Sequence, residues 1–342
     1  MNIAVVTINN PSLESATKLL EYLTNHKVSI YNKTLQNTPS YIKFDKLDDI
    51  LSEVWQYDAI IFLLATGAVI RKIAPFLTDK ANDPAVLIVS LDLKKIIPLL
   101  SGHLGGANEL AKELCSKIPN AINFVTTASD QLDRFAFDNF AKDNDFSISN
   151  LNSLAKISNA ILNKEKIAVI SYESIFELIK NYKGYKEENF DFYLIDEEVP
   201  KDLKKVYITP QRLNNDDLQL HPKIVLGMGM NRDTKLEEIT KNVKRFCFEH
   251  SLEFSDILSL ASFEAKNDEV FFLEFAKQNN LKIDFFNKED INSLQNNFSK
   301  SMATKFFGIK GVAEPASLLA SKYKTLFLNK RIYGNTTIAA SF

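Results

Sequence analysis

The chain has 342 residues, 45% apolar and 25% charged, a balance that excludes a largely disordered protein. At this length a single packed domain is also excluded, because one core stops growing near ~250–300 residues. The formal net charge is −2 and Lys and Arg are scattered without a basic block, which argues against a nucleic-acid partner. The only cysteines, Cys115 and Cys247, are far apart and outside any CxxC spacing, so neither a disulfide framework nor a thiol-rich metal site is expected.

The opening run NIAVVTINNP is too short for a membrane span and lacks a basic leader, so it reads as a first β-strand. No later run is apolar for long enough to cross a bilayer, and the expected location is the cytoplasm, with no membrane partner. From Met1 to about Ala128 the runs NIAVVTI, VSIY, DAIIFLLA, AVLIVSL with KKIIPLL, and AINFVTT alternate with helical patterns. This predicts an α/β domain whose open, mostly parallel sheet is buried on both faces by helices. Asn10 before Pro11 predicts a helix N-cap.

From Ser129 to about Leu220 the chain is richer in Asn, Lys and Asp, with two clear strands, KIAVIS and FDFYLID. It reads as a smaller α/β subdomain. Within it SISNLNSLAKISNAIL predicts a helix that buries Leu151, Leu154, Ile157 and Ile161. The last part restarts with KIVLGMGMNRDT, a strand running into a glycine turn, then a helix with Thr234 and Glu237 at capping-box spacing. A hairpin is expected around Tyr333, Gly334 and Asn335. The expected division is therefore 1–128, 129–219 and 220–342.

Three segments carry the chemistry. In LLSGHLGGANELAKEL, a strand passes through Gly102, Gly105 and Gly106 into a helix beginning Ala107, Asn108, Glu109. Glycines let the backbone approach a ligand, and the first amides of a helix attract an anion or oxyanion. His103 sits inside this turn, where its side chain could move a proton. The plain alternative is a tight turn in which His103 packs locally.

In LLATGAVIRKIAPFLTDKANDPAV, Thr66 and Gly67 follow a strand, Arg71, Lys72 and Lys80 supply cations, and Asp79 and Asp83 supply carboxylates, unless these are a solvated helix face. In NFVTTASDQLD, Thr126, Thr127, Ser129 and Asp130 follow a strand, with a helix cap as the alternative use of Ser129 or Asp130. If the strands are parallel, all three loops fall on one carboxyl rim. Glu314 precedes Pro315 at a helix start, where its charge is stabilising on structural grounds alone.

The turn GHLGGAN is neither GxGxxG nor GxxxxGK[ST], which disfavours a dinucleotide or P-loop enzyme. None of the four histidines pairs with another ligand type at metal spacing, so no metal site is expected. No serine or cysteine sits in GxSxG, and activated water is the expected nucleophile.

Taken in order, these blocks resemble the CbiG family of cobalamin biosynthesis. LLSGHLGGANELA is similar to its most distinctive block, LLATGAVIRKIAPFLTDKANDPAV to a second, and TTASD to the block that follows. KIVLGMGM, Lys266 with Glu269, GVAEPASLLA and NTTIAA have later counterparts. GMGMNRDT departs from the family turn, with Met230 in place of a cysteine and Asp233 in place of its last glycine.

The resemblance implies a cobalt-precorrin-5A hydrolase, which opens a δ-lactone on a cobalt-tetrapyrrole and releases acetaldehyde. It needs no cofactor of its own, because cobalt arrives in the substrate. The inferred catalytic candidates are His103, Glu109 and Asp130. Thr66, Gly67, Arg71, Lys80, Gly102, Gly105, Gly106, Asn108, Thr126 and Thr127 would bind substrate, and the amides of Gly105, Gly106 and Ala107 would hold the oxyanion. Transient contact with neighbouring corrin-pathway enzymes is expected. A non-catalytic protein that holds or hands on the tetrapyrrole is the alternative.

Overall fold

Apolar runs without alternation belong in the middle of a sheet covered on both sides, and the first part of the chain behaves this way. The computed structural model describes residues 1–34, 41–79, 82–102, 105–126, 134–301 and 303–342. The chain divides into two compact units, Met1–Asp133 and Arg134–Phe342.

The first unit holds seven strands: β1 (Asn2–Thr7), β2 (Lys27–Asn32), β3 (Tyr41–Lys43), β4 (Ala59–Phe62), β5 (Ala85–Val89), β6 (Lys95–Leu100) and β7 (Ile122–Asn123), in the spatial order β3-β2-β1-β4-β5-β6-β7. Strands β1 to β5 are parallel, β6 runs antiparallel to β5, and β7 runs parallel to β6. The period-2 alternation of side chains sorts the apolar residues into two cores. Ile3, Val5, Ile61, Leu87 and Val89 pack with the helices Asn10–Leu19 and Ala107–Lys117. Ala4, Val6, Ile60, Phe62, Val86 and Ile88 pack with Leu47–Val54 and Thr66–Ile73 on the other face.

The second unit contains two five-stranded sheets. One is formed by β8 (Ser147–Ser149), β9 (Ile167–Ser171), β10 (Phe190–Leu194), β11 (Lys204–Ile208) and β12 (Leu218–His221) in the order β10-β9-β11-β12-β8, with only β8 antiparallel. The other is formed by β13 (Ile224–Met230), β14 (Ile257–Phe263), β15 (Lys282–Phe286), β16 (Leu326–Tyr333) and β17 (Thr336–Ser341) in the order β15-β14-β13-β17-β16. Both sheets contribute to one continuous apolar core, from Phe137 and Val169 to Phe246, Leu260 and Phe342. The fold is thus the expected α/β arrangement of mostly parallel sheets flanked by helices, and the expected hairpin joins β16 to β17 through Gly334.

Four local expectations are corrected. The first helix is capped by Asn9 rather than Asn10, with the Asn9 side chain accepting from Ser12 N at 2.9 Å. The segment at Ser147 opens as strand β8, and helix begins only at Leu154. Thr234 is not a helix cap: its hydroxyl donates to Asn231 O at 2.8 Å, closing the turn after β13. Gly227 and Gly229 lie inside β13 rather than in a turn. A Cβ on Gly227 would lie 1.8 Å from Ala313 O, so glycine there lets the helix Ala313–Ala320 rest directly on the strand.

Candidate functional site

The direction of β6 decides where the predicted residues lie. Only Ser90–Lys94 separate β5 from β6, a connection far too short for a parallel crossover, and the two strands form a hairpin. The carboxyl ends of β6 and β7 therefore reach the edge where β4 and β5 begin. The single carboxyl rim expected from sequence is corrected accordingly: the loops divide between two opposite edges.

At the β6–β7 edge the glycine turn is tightly built. Ser101 and Gly106 both take positive φ, 53° and 86°. A Cβ on Gly105 would lie 2.4 Å from the Ser101 Cβ and 2.9 Å from its carbonyl oxygen, so this position has no room for a side chain. Asn108 is buried and its amide group lies against Gly102. Ser101 Oγ donates to Asp83 O at 2.8 Å, which ties the turn to the loop after Phe76. In that loop the Asp83 carboxylate accepts from both the amide and the hydroxyl of Thr78, so Asp83 braces structure. Thr126 follows β7 on the same edge and is exposed. Glu109 is exposed in the first turn of the helix Ala107–Lys117.

The helix start is not a row of bare amides. Ala107 N donates to Ser101 O at 3.2 Å and Asn108 N to Gly102 O at 3.0 Å. This corrects the expected oxyanion role of Ala107. Among the described residues, Gly105 and Gly106 have no such backbone acceptor, which leaves their amides as the donors available at the turn. His103, Lys80, Thr127 and Asp130, with Ser129, lie outside the described residues.

Thr66, Gly67 and Arg71 lie elsewhere. The helix Thr66–Ile73 starts at the carboxyl end of β4 and covers the sheet face opposite to that covered by Ala107–Lys117. Arg71 Nη1 donates back to Gly67 O at 2.9 Å. With Ile8, Lys33, Leu64 and Lys72, Arg71 lines a cleft of about 510 Å³ on that edge, and Lys72 is paired with Asp48 at 2.6 Å. A neighbouring cleft of about 320 Å³ runs over the ends of β1, β4 and β5. Arg71 and the glycine turn thus differ in both edge and face.

The second unit has its own concavity. A cavity of about 530 Å³ opens at the carboxyl ends of β13 and β14, and among the described residues Arg232, Lys266, Lys300 and Lys330 are its ionisable lining. Phe306, Phe307 and Ile332 form its apolar wall. Beneath it, buried Glu314 accepts from Ser299 N and Oγ and from Lys330 N. That accounts for Glu314 more fully than the helix-start charge expected from sequence.

Comparison with known proteins decides the kinship. Residues 49–130 match the family description "Cobalamin synthesis G N-terminal", 135–222 "Cobalamin biosynthesis central region" and 224–341 "Cobalamin synthesis G C-terminus". A Priestia megaterium protein named cobalt-precorrin-5A hydrolase is 31% identical, covering 83% of this chain and 78% of its own. The chain belongs to the CbiG family. A second CbiG relative, the cobalt-precorrin-5A hydrolase of Salmonella typhimurium, is 26% identical over 82% of this chain and 81% of its own. A solved structure from Sulfolobus solfataricus, described as a homologue of cobalamin biosynthesis protein G, superposes with a TM-score of 0.40 at 24% identity, covering 99% of this chain and 96% of that one.

In this CbiG chain the cavity of the second unit escaped the sequence reading: KIVLGMGM, Lys266, GVAEPASLLA and NTTIAA all contribute to its lining, but these blocks are far apart in the chain and meet only in the fold. The signal lay in two exposed phenylalanines, Phe306 and Phe307, beside Lys300. Among the described residues no helix is long and apolar enough to cross a membrane.

Proposed function

We propose that this protein is a cobalt-precorrin-5A hydrolase of cobalamin biosynthesis that works at the β6–β7 edge of its first unit. The kinship to the Priestia protein of that name, spanning 83% of the chain, carries the reading. The glycine turn supports the location. Water adds to the δ-lactone carbonyl, with His103 taking its proton and the Gly105 and Gly106 amides stabilising the oxyanion. The acyl–oxygen bond breaks, leaving a carboxylate and a hydroxyl on the extruded carbon. That hydroxyl gives its proton to the base and collapses to an aldehyde as the carbon's bond to the macrocycle breaks. The bonding pair passes into the ring, which is protonated, and acetaldehyde leaves.

In this mechanism Asn108 positions the turn, while Glu109 and Asp130 are the alternative bases. Lys80, Gly102, Thr126 and Thr127 contact the substrate, and cobalt enters and leaves with the macrocycle. Thr66, Gly67 and Arg71 would act on carboxylate arms at the other edge. The test is anaerobic incubation of purified protein with cobalt-precorrin-5A. Stoichiometric acetaldehyde is expected, whereas binding without acetaldehyde would instead make the protein a tetrapyrrole carrier.

A further inference from the structure

The cavity over β13 and β14 combines two features that seldom share one surface. Its volume, about 530 Å³, is within the ~300–1,000 Å³ of small-molecule sites. Among the described residues, every ionisable side chain that lines it is a cation. Two are already neutralised: Arg232 pairs with Asp268 and, at 3.3 Å, with buried Glu269, and Lys266 reaches Glu269 at 2.9 Å. Lys300 and Lys330 have no carboxylate partner among the described residues, and the Lys330 ammonium donates to Lys300 O. The Glu314 carboxylate behind them accepts from Ser299 and the Lys330 amide.

Next to these cations stands bare apolar surface. Phe306 is 73% exposed, Ile332 70% and Phe307 47%, and all three line the cavity. Phe307 packs edge-on to Phe263 at 5.3 Å, which anchors that ring of the wall. Scattered apolar residues on a surface need no explanation, but a cluster at the mouth of a cationic cavity is a binding surface. A small anion would need the lysines alone and a plain hydrophobe the wall alone. A ligand with an apolar body and peripheral anionic groups, carboxylates among them, uses both.

We propose that this cavity binds a polycarboxylated tetrapyrrole, its ring against Phe306 and Ile332 and its carboxylate arms on Lys300 and Lys330. The choice of macrocycle rests on the function proposed above, and the binding site itself is additional to the hydrolytic edge of the first unit. The full chain is titrated calorimetrically with cobyrinic acid, a cobalt corrin bearing seven carboxylates, and compared with the double variant Lys300→Gln/Lys330→Gln and with Phe306→Ser.

The double variant should lose about tenfold in affinity, as two charge-assisted contacts predict, with a flatter salt dependence. Phe306→Ser should weaken the corrin but leave citrate, a carboxylate control without a ring, unaffected. Lysine acylation followed by mass spectrometry locates the site independently: the corrin should slow modification of Lys300 and Lys330. Unchanged affinity in both variants, unprotected lysines, or displacement of the corrin by ATP would each overturn the proposal. Acetaldehyde release by a wild type whose cavity lysines stay unprotected would sink this site alone. Protection without acetaldehyde would keep the site and sink the hydrolase.

Discussion

His221 is a histidine whose surroundings give it a structural role. It is fully buried at the end of β12, with Nδ1 2.8 Å from Thr209 O and Nε2 2.8 Å from Ser149 Oγ. A neutral ring that donates through Nδ1 and accepts at Nε2 satisfies both partners. Burial, and next the nearby Arg212 charge, depress its pKa to about 4, although Thr209 and Asp256 oppose the shift. Because the folded pKa lies below the unfolded value, the unfolded chain binds the proton more readily. Stability therefore rises with pH through this window and is lost as pH falls from about 6.5 towards 4. Urea denaturation at pH 7.5 and pH 5 should show the wild type losing about 2 kcal/mol more than His221→Gln, and equal losses would refute the assignment. In the first unit, Asp83 makes the same point: a carboxylate in a motif proves to be a brace for Thr78.

Among the elements, the parallel strands β1, β4 and β5 were legible because their apolar runs are unbroken and, apart from Asn2 at the start of β1, their residues are buried. Strands β8, β11 and β12 were not, because SIS, KKVYI and LQLH are short and only half apolar, and neighbouring strands determine their state. The reversal of β6 was legible in principle from the length of its connection. Missing it placed two sets of candidate residues on one rim. The seam between the two sheets of the second unit left no pattern in the sequence at all. There Asp256, 2% exposed, receives Arg212, Lys223 at 3.2 Å and Ser147 Oγ at 3.1 Å. Asp256→Ala should cost about 2–3 kcal/mol in urea denaturation, at the low end for a broken buried pair. The discount applies because the Arg212 and Lys223 side chains remain 23% and 27% exposed. A loss under about 0.5 kcal/mol, as for an exposed pair, would show that the seam is not held by charge.

For the whole molecule, the glycine turn lies in one unit and the cationic cavity in the other, so the two proposed tasks, opening a lactone and holding a polycarboxylate, fall to separate units. The blocks that resemble the family pointed to the first task, because tight backbone turns leave a mark in sequence as glycines. The second left separate blocks around Gly229, Lys266, Val312 and Thr337 with dispersed lysines and phenylalanines, which line one cavity once β13, β14 and β16 bring them together. The assignment of chemistry to the β6–β7 edge is tested most directly by comparing single-turnover lactone opening in His103→Asn and Arg71→Gln. The prediction is a loss of about 10²-fold or more for His103→Asn, as for removal of a general base, and less than about fivefold for Arg71→Gln. A His103→Asn rate near wild type, or a collapse on replacing Arg71 alone, would contradict it.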